Sequence, residues 1–441
     1  MKFRSLIAAA VVLLILAGVL YWSEHRKTPE STASTTSTSP AILKIDPAAV
    51  TSLIVKQKGA QPVTLVRSGA QWQISSPGTF PADSSTISGM LSSLAPLNSE
   101  SVVEDHATNL AEFGLSDPSM ELDLTSKDNK TSRLLLGDDA PTGDGVYVSL
   151  GGDPRVFTAS SSIKTSLSKS LTDLRDKRLL PIDASSVSSI DLIRKGDDIG
   201  LARVQNGWQI EKPHPYRTDN FQVDDLLQQL TSAKWDVSAS SEDAAKIFAH
   251  ATPVATVKLT GSSGDETLDL RKDKDDSYAT SSAIGGTWKV DSTNASALGQ
   301  ALGHSLDDFR NKEVFDFGFS DPDKVEYHSG PTTIVLTHTG KDWFSDGKKM
   351  DEDSAEMVAT TLRDLSATKF VDSGFTTPLI EITVTSGGGK KVERVEMQRV
   401  GDGAIAKRED DSSLYSLDAA TLNSLTTSIA GLKSAAPAKK K

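Results

Sequence analysis

The sequence predicts an α+β fold: three tandem repeats of about 135 residues, each of antiparallel strands plus two helices, after one N-terminal transmembrane helix. Three observations lead there. A tryptophan phrase recurs, as "AQWQISSP" at 70–77 and "NGWQIEKP" at 206–213, and so large a residue in a repeated context marks a repeated structural unit. Trp72 to Trp208 is a step of 136 residues and a further 135 reaches Trp343 in "KDWFSDG", while Pro118 to Pro253 and Arg175 to Arg310 are each 135. Finally, alternating apolar runs are followed by helical patterns without strand–helix–strand alternation.

From the N-terminus, Lys2 and Arg4 precede "LIAAAVVLLILAGVLYW", Leu6 to Trp22, 17 residues without a charge. As a helix this run is about 26 Å long, enough to span a hydrocarbon core. Tyr21 and Trp22 fall where an interfacial aromatic belt would lie. The bulky "VLYW" ending offers no small-x-small cleavage site, so residues 6–22 read as an uncleaved signal anchor. Residues 1–5 would stay in the cytoplasm, with the bulk of the chain outside a cytoplasmic (inner) membrane crossed once. His25, Arg26 and Lys27 blunt the charge asymmetry, but a five-residue tail is easier to leave behind than a large body is to retain. Residues 23–41, rich in Ser and Thr, cannot bury an apolar face and form a flexible linker, roughly 24 Å in root-mean-square span.

The repeats are placed at 42–181, 182–316 and 317–433, with a basic tail at 434–441. Each opens with strand patterns such as "VTSLIVKQ", "VTLVRSG" and "QWQIS" in a meander. Helical patterns follow at Asp83–Leu97, Gln222–Trp235 and Asp351–Phe370, with Asp83 as an N-cap and Leu226, Leu227 and Leu230 at helical spacing. Next come paired strands, "MELDLTS" with "SRLLLGD" and "VYVSL" with "RVFTAS" about Gly151-Gly152. A closing helix is expected through "SSSIKTSLSKSLTDLRDKRLL", its basic residues suiting the helix dipole. Trp72, Trp208 and Trp343 are read as core anchors on the third strand of each unit. Arg175 and Arg310, each close behind an aspartate (Asp173, Asp308), read either as helix-dipole complements in surface ion pairs or as locks of one repeat onto the next. The third copy is about ten residues shorter between its tryptophan and Pro378 and lacks the Arg-Asp-Lys-Arg ending.

The elements "FGLSDPSMELDL", "GDDAPTGDGVYVSL" and "LTDLRDKRLL" resemble the bacterial family catalogued as domain of unknown function 4340, over about residues 42–316. That resemblance implies a protein anchored by one N-terminal helix. It also implies proximity to an ABC-type permease and a gliding-type auxiliary protein as partners. It carries no catalytic residues.

Composition narrows the function classes. With 47 Lys plus Arg against 59 Asp plus Glu, the net charge is −12, which argues against a nucleic-acid partner. There is no cysteine, which excludes disulfides, thiol chemistry, zinc–cysteine sites and a lipid-modified N-terminal cysteine. The seven histidines (His25, His106, His214, His250, His304, His328, His338) include no i, i+4 pair. His214 in "KPHPY" reads as a surface turn. Ser161–Lys164 and Ser166–Lys169 match a Ser-x-x-Lys pattern without its companion motifs. Asp138, Asp139 and Asp144 in "GDDAPTGDGVY" lack EF-hand spacing and suit a hairpin loop. "RKDKDDS" (271–277) and "REDDSS" (408–413) read as mixed-sign solvated loops. No catalytic, cofactor-binding or metal-ligating residue and no cofactor is assigned. The expectation is a non-enzymatic accessory or scaffold component of a membrane complex of the ABC-type transporter kind. Two alternatives stand beside it: a cell-envelope polysaccharide or peptidoglycan binding protein, and a hydrolase with its site between repeats.

Overall fold

The computed structural model describes residues 40–436 apart from 70, 142–144 and 263. The expected anchor at Leu6–Trp22, nearly all of the linker, Asp144 and the end of the basic tail lie outside the described residues. Among the described residues, no helix is long and apolar enough to cross a membrane.

Strand makes up 44% of the structure and helix 22%, so the expected α+β class gives way to a mainly antiparallel β architecture. The chain's contacts gather into two compact units, Met1–Asp176 and Lys177–Lys441, and the second holds two large sheets in one body. The expected class fails because the helices are short. The pattern over Asp83–Leu97 yields a helix only at Ser84–Ser93, and that over Asp351–Phe370 only Glu352–Arg363. The expected closing helix is two pieces of six and four residues, Ser162–Leu167 and Leu171–Leu174. Ser170 restarts the chain there by exchanging bonds with Asp173 in a capping box.

The first unit contains a nine-stranded antiparallel sheet and a two-stranded ribbon, Ala41–Leu43 with Leu97–Asn98. The chain enters the large sheet at an inner strand, Val50–Gln57, and meanders outward through Val63–Ser68 and Gln71–Ser76 to the edge at Phe80–Pro81. After the helix Ser84–Ser93 it returns to the other side of Val50–Gln57 with Met120–Ser126. From there it meanders outward again to Val156–Ser160, and Ser101–Glu104 closes that edge.

The two sheets of the second unit repeat this plan. Their central pairs are Val187–Arg194 with Thr252–Gly261 and Lys324–Ser329 with Ile380–Ser386. The closing edge strand is Lys369–Val371 in one; in the other it is reduced to a single bridge, Trp235 to Val290. Each sheet carries helices on its apolar face. Ile87, Met90 and Leu91 share a core with Leu53 and Leu65, and Leu226 and Leu230 share one with Ile190 and Leu192.

The three tryptophans are buried, at 3%, 5% and 1% exposure for Trp72, Trp208 and Trp343. Each sits on the third strand of its meander opposite a cationic or imidazole partner. Arg67 pairs with Trp72 and lies over its ring at 5.5 Å, and Arg203 pairs with Trp208 at 4.4 Å. His338 pairs with Trp343 and stacks on it at 4.6 Å. The backbone N–H of Trp72 and of Trp208 donates to a side chain at the start of the following helix, Ser84 Oγ and Asn220 Oδ1. One residue thereby fixes core, cross-strand partner and helix entry together. Trp72→Ala and Trp208→Ala should each lose about 3–5 kcal/mol in chemical unfolding, the usual cost of emptying a buried aromatic site. Melting curves that match the parent would contradict this role.

Candidate functional site

The most featured region of the second unit lies where its two sheets meet. The connector Phe309–Val314 is hydrogen-bonded to the edge of one and to the segment that leads into an edge strand of the other. Asp219 N–H donates to the Phe309 carbonyl and Asn311 N–H to the Arg217 carbonyl, joining it to the edge strand Tyr216–Arg217. Val314 N–H then donates to the Leu365 carbonyl, and Ala367 N–H to that of Lys312. At its centre Arg310 is 7% exposed, with its guanidinium 4.1 Å from the Tyr216 ring and 3.6 Å from the Phe370 ring. Tyr216 belongs to one sheet and Phe370 to the other. Arg310 also bonds Asp307 at 2.9 Å, not Asp308, whose carboxylate caps the short helix Leu306–Phe309.

Arg175 holds the matching place in the first unit, 4.2 Å over Phe80 and bridged to Ala82. Burial there pushes its proton affinity down. It lies beyond the last helical turn with extended backbone, so the expected dipole role is replaced by ring stacking. In the third sheet the corresponding bridge is made by Ser434 to Met350, without an arginine.

A buried polar network backs the junction. Arg217 donates to the Glu313 carbonyl at 2.6 Å and to the Tyr415 hydroxyl at 3.3 Å. Tyr415, fully buried, donates in turn to Asp411, which also accepts from Ser413. Arg408, 2% exposed, bonds Glu393, Asp410 and the Val314 carbonyl. Burial alone would loosen the Arg408 proton, but Asp410 and Glu393 outweigh it and hold the guanidinium charged. The reading of "REDDSS" as a solvated loop is therefore corrected at Arg408, Asp411 and Ser413, all buried. The signal available in the sequence was alternation: Ala404, Ala406 and Arg408 share the inward face of the strand Gly403–Arg408.

Beside this network opens a cleft of ≈ 630 Å³ lined by His214, Tyr216, Asp372, Phe375, Lys407 and Ser412, with Arg310 in its wall. A second, of ≈ 490 Å³, holds Arg217, Asp219, Glu313 and Asp316. The Glu313 carboxyl is pushed up from its ordinary value, by burial first and then by Asp316.

The Ser-x-x-Lys and aspartate-loop residues singled out by sequence belong to the first unit. Lys164 pairs with Asp139 at 2.8 Å and Lys169 bonds the Thr165 carbonyl, which leaves the Ser-x-x-Lys matches as surface structure. Asp138 packs against Gly114, where a Cβ would meet its carboxylate at 2.5 Å. Among the described residues no group of three or more His, Asp or Glu is placed to hold a metal ion.

Burial, and Asp411 as hydrogen-bond acceptor, push the Tyr415 phenol up to about 12 against the pull of Arg217. An unfolded tyrosine titrates near about 10, so this proton stabilises the fold fully below that pH and is lost as pH rises toward 12. Unfolding free energy measured between pH 9 and 12 should therefore fall more steeply in the parent than in Tyr415→Phe. Equal slopes would contradict the assignment.

Comparison with curated proteins finds no match. Among solved structures, the chain is similar to the DNA polymerase sliding clamp from Pseudomonas aeruginosa with ligand, at 10% identity and TM-score 0.16, over 86% of this chain and 93% of that one. A second structure of that clamp gives 10% and 0.17, over 85% and 93%. The form bound to griselimycin gives 8% and 0.15, over 86% and 94%. Scores this low carry no argument about fold or function. The sequence itself is more informative: the model of the family described as "Domain of unknown function (DUF4340)" matches residues 72–209 and 208–380, and the chain belongs to that family.

Proposed function

We propose that this protein is a non-enzymatic, membrane-anchored extracytoplasmic scaffold, an accessory component of a membrane complex of the ABC-type transporter kind. The observation that carries the reading is Phe319, 98% exposed on a loop that is nonetheless fixed on both sides. Arg363 donates to the Gly318 carbonyl at 3.0 Å and to the Ser320 carbonyl at 3.4 Å. A large aromatic held rigidly in water adds nothing to folding. It suits a partner's apolar pocket, where aromatic anchors dominate binding energy. The junction supports the same reading, because its arginines are engaged in structure: Arg310 with Asp307, Arg217 with Glu313, Arg408 with Glu393 and Asp410. Leu6–Trp22 supplies the anchor and residues 23–41 the tether.

Binding of a cell-envelope polysaccharide is the second reading, favoured by the mixed aromatic and polar lining of the larger cleft. A hydrolase would draw on Glu313 and Asp316, which face the smaller one.

Two measurements test the proposal. Alkaline-washed membranes should retain the intact chain, and N-terminal sequencing should find no mature form beginning near residues 23–30; a soluble processed form would end the anchor reading. In mild detergent the parent should migrate on native gels in a larger complex. Phe319→Asp should release it while its melting temperature stays within a degree or two, as for ordinary surface changes. Unchanged migration of that variant would overturn the scaffold assignment.

A further inference from the structure

We infer that the larger cleft of the second unit is a saccharide-binding site, taking a hexose-type ring with vicinal hydroxyls. This names a ligand for the polysaccharide-binding reading above and does not depend on membership of a membrane complex. At ≈ 630 Å³ the cleft is of small-molecule size. Its polar and apolar parts are divided as a sugar requires. Phe375 and Tyr216, both half-buried, offer ring surface, and His214 stands edge-on to Tyr216 with centroids 6.3 Å apart. Around them Asp372 supplies an acceptor, Lys407 a donor and Ser412 both, and all three are exposed. The Lys407 ammonium lies 5.9 Å from the Phe375 centroid, which sets a donor beside the apolar platform.

A pyranose presents an apolar C–H face and a rim of hydroxyls, so stacking on Phe375 leaves its edges to Asp372, Lys407 and Ser412. Other ligand classes fit less well. A phosphate would meet the carboxylate of Asp372, while Arg310, the strongest cation in the wall, is held by Asp307 and two aromatic rings. A wholly apolar ligand would strip water from Lys407, Asp372 and Ser412 without returning hydrogen bonds.

The test uses the full chain in mild detergent with three defined probes, maltotetraose, cellotetraose and chitotetraose, read by calorimetry and saturation-transfer NMR. At least one should bind with Kd below about 1 mM. Phe375→Ala and Asp372→Ala should each weaken it about tenfold or more, with unchanged melting and unchanged migration of the membrane complex. Phe221→Ala, at an exposed ring lining the smaller cleft, should leave affinity as in the parent. Absence of binding by all three probes overturns the inference, as does binding that survives Phe375→Ala. Because complex migration is read separately, loss of the scaffold reading and loss of the sugar site are distinguishable outcomes.

Discussion

Much of the second unit hangs on one guanidinium. Arg310 contacts Tyr216 of one sheet and Phe370 of the other, at 4.1 and 3.6 Å, while the backbone on either side of it bonds to Arg217 in the first and to Leu365–Ala367 just before the edge strand of the second. A planar, weakly hydrated cation can present a face to each of two rings, which a compact ammonium cannot. With Asp307 accepting a hydrogen bond from it, the charge is partnered though the residue is almost fully buried. Because the connector bonds to the edge strand Tyr216–Arg217 and to Leu365–Ala367, which leads into the edge strand Lys369–Val371 of the other sheet, displacing either sheet's edge would break backbone hydrogen bonds. Those sheets accordingly form one body. The clefts lined by Tyr216 and by its neighbour Arg217 inherit that rigidity.

The same economy appears inside each sheet. A tryptophan on the third strand fills the core with its ring, takes a cationic or imidazole partner from the neighbouring strand, and in two cases fixes the start of the next helix through its N–H. Aspartate N-caps recur at those helix starts, at Asp83, Asp219 and Asp351. Fixed starts explain why the strand-rich class was underestimated. The caps define where each helix begins, but the apolar periodicity runs on past its end into strand, as at Leu97 and Phe370. Period alone does not distinguish the last turn of a helix from the first residues of an edge strand.

The two clefts and their network show where sequence reading stops. His214 was identifiable as unusual, and it does face the larger cleft, but nothing near it in sequence indicates Phe375, Lys407 or Asp372, more than 150 residues away. The motif "REDDSS" looked solvated because its composition is charged. Its burial follows from strand alternation combined with the arrival of Val314 and Glu393 overhead, and only the first of these is a local property.

By itself, the sequence determined the recurrence of the tryptophan strand, the N-caps, the placement of Arg175 and Arg310 at equivalent points, and the family. These depend on short-range chemistry and on spacing, which the chain carries with it. The tertiary structure alone decided the balance of strand over helix, the union of two sheets in one unit, and the fate of individual apolar residues. The phrase Phe-Gly-x-Ser-Asp-Pro makes the point. It occurs at 113–118 and at 317–322, with a left-handed glycine each time, at φ 67° and 77°. Yet Leu115 in the first is 2% exposed and Phe319 in the second is 98% exposed. A local conformation can be written in six residues, but burial depends on which distant surface arrives to cover them.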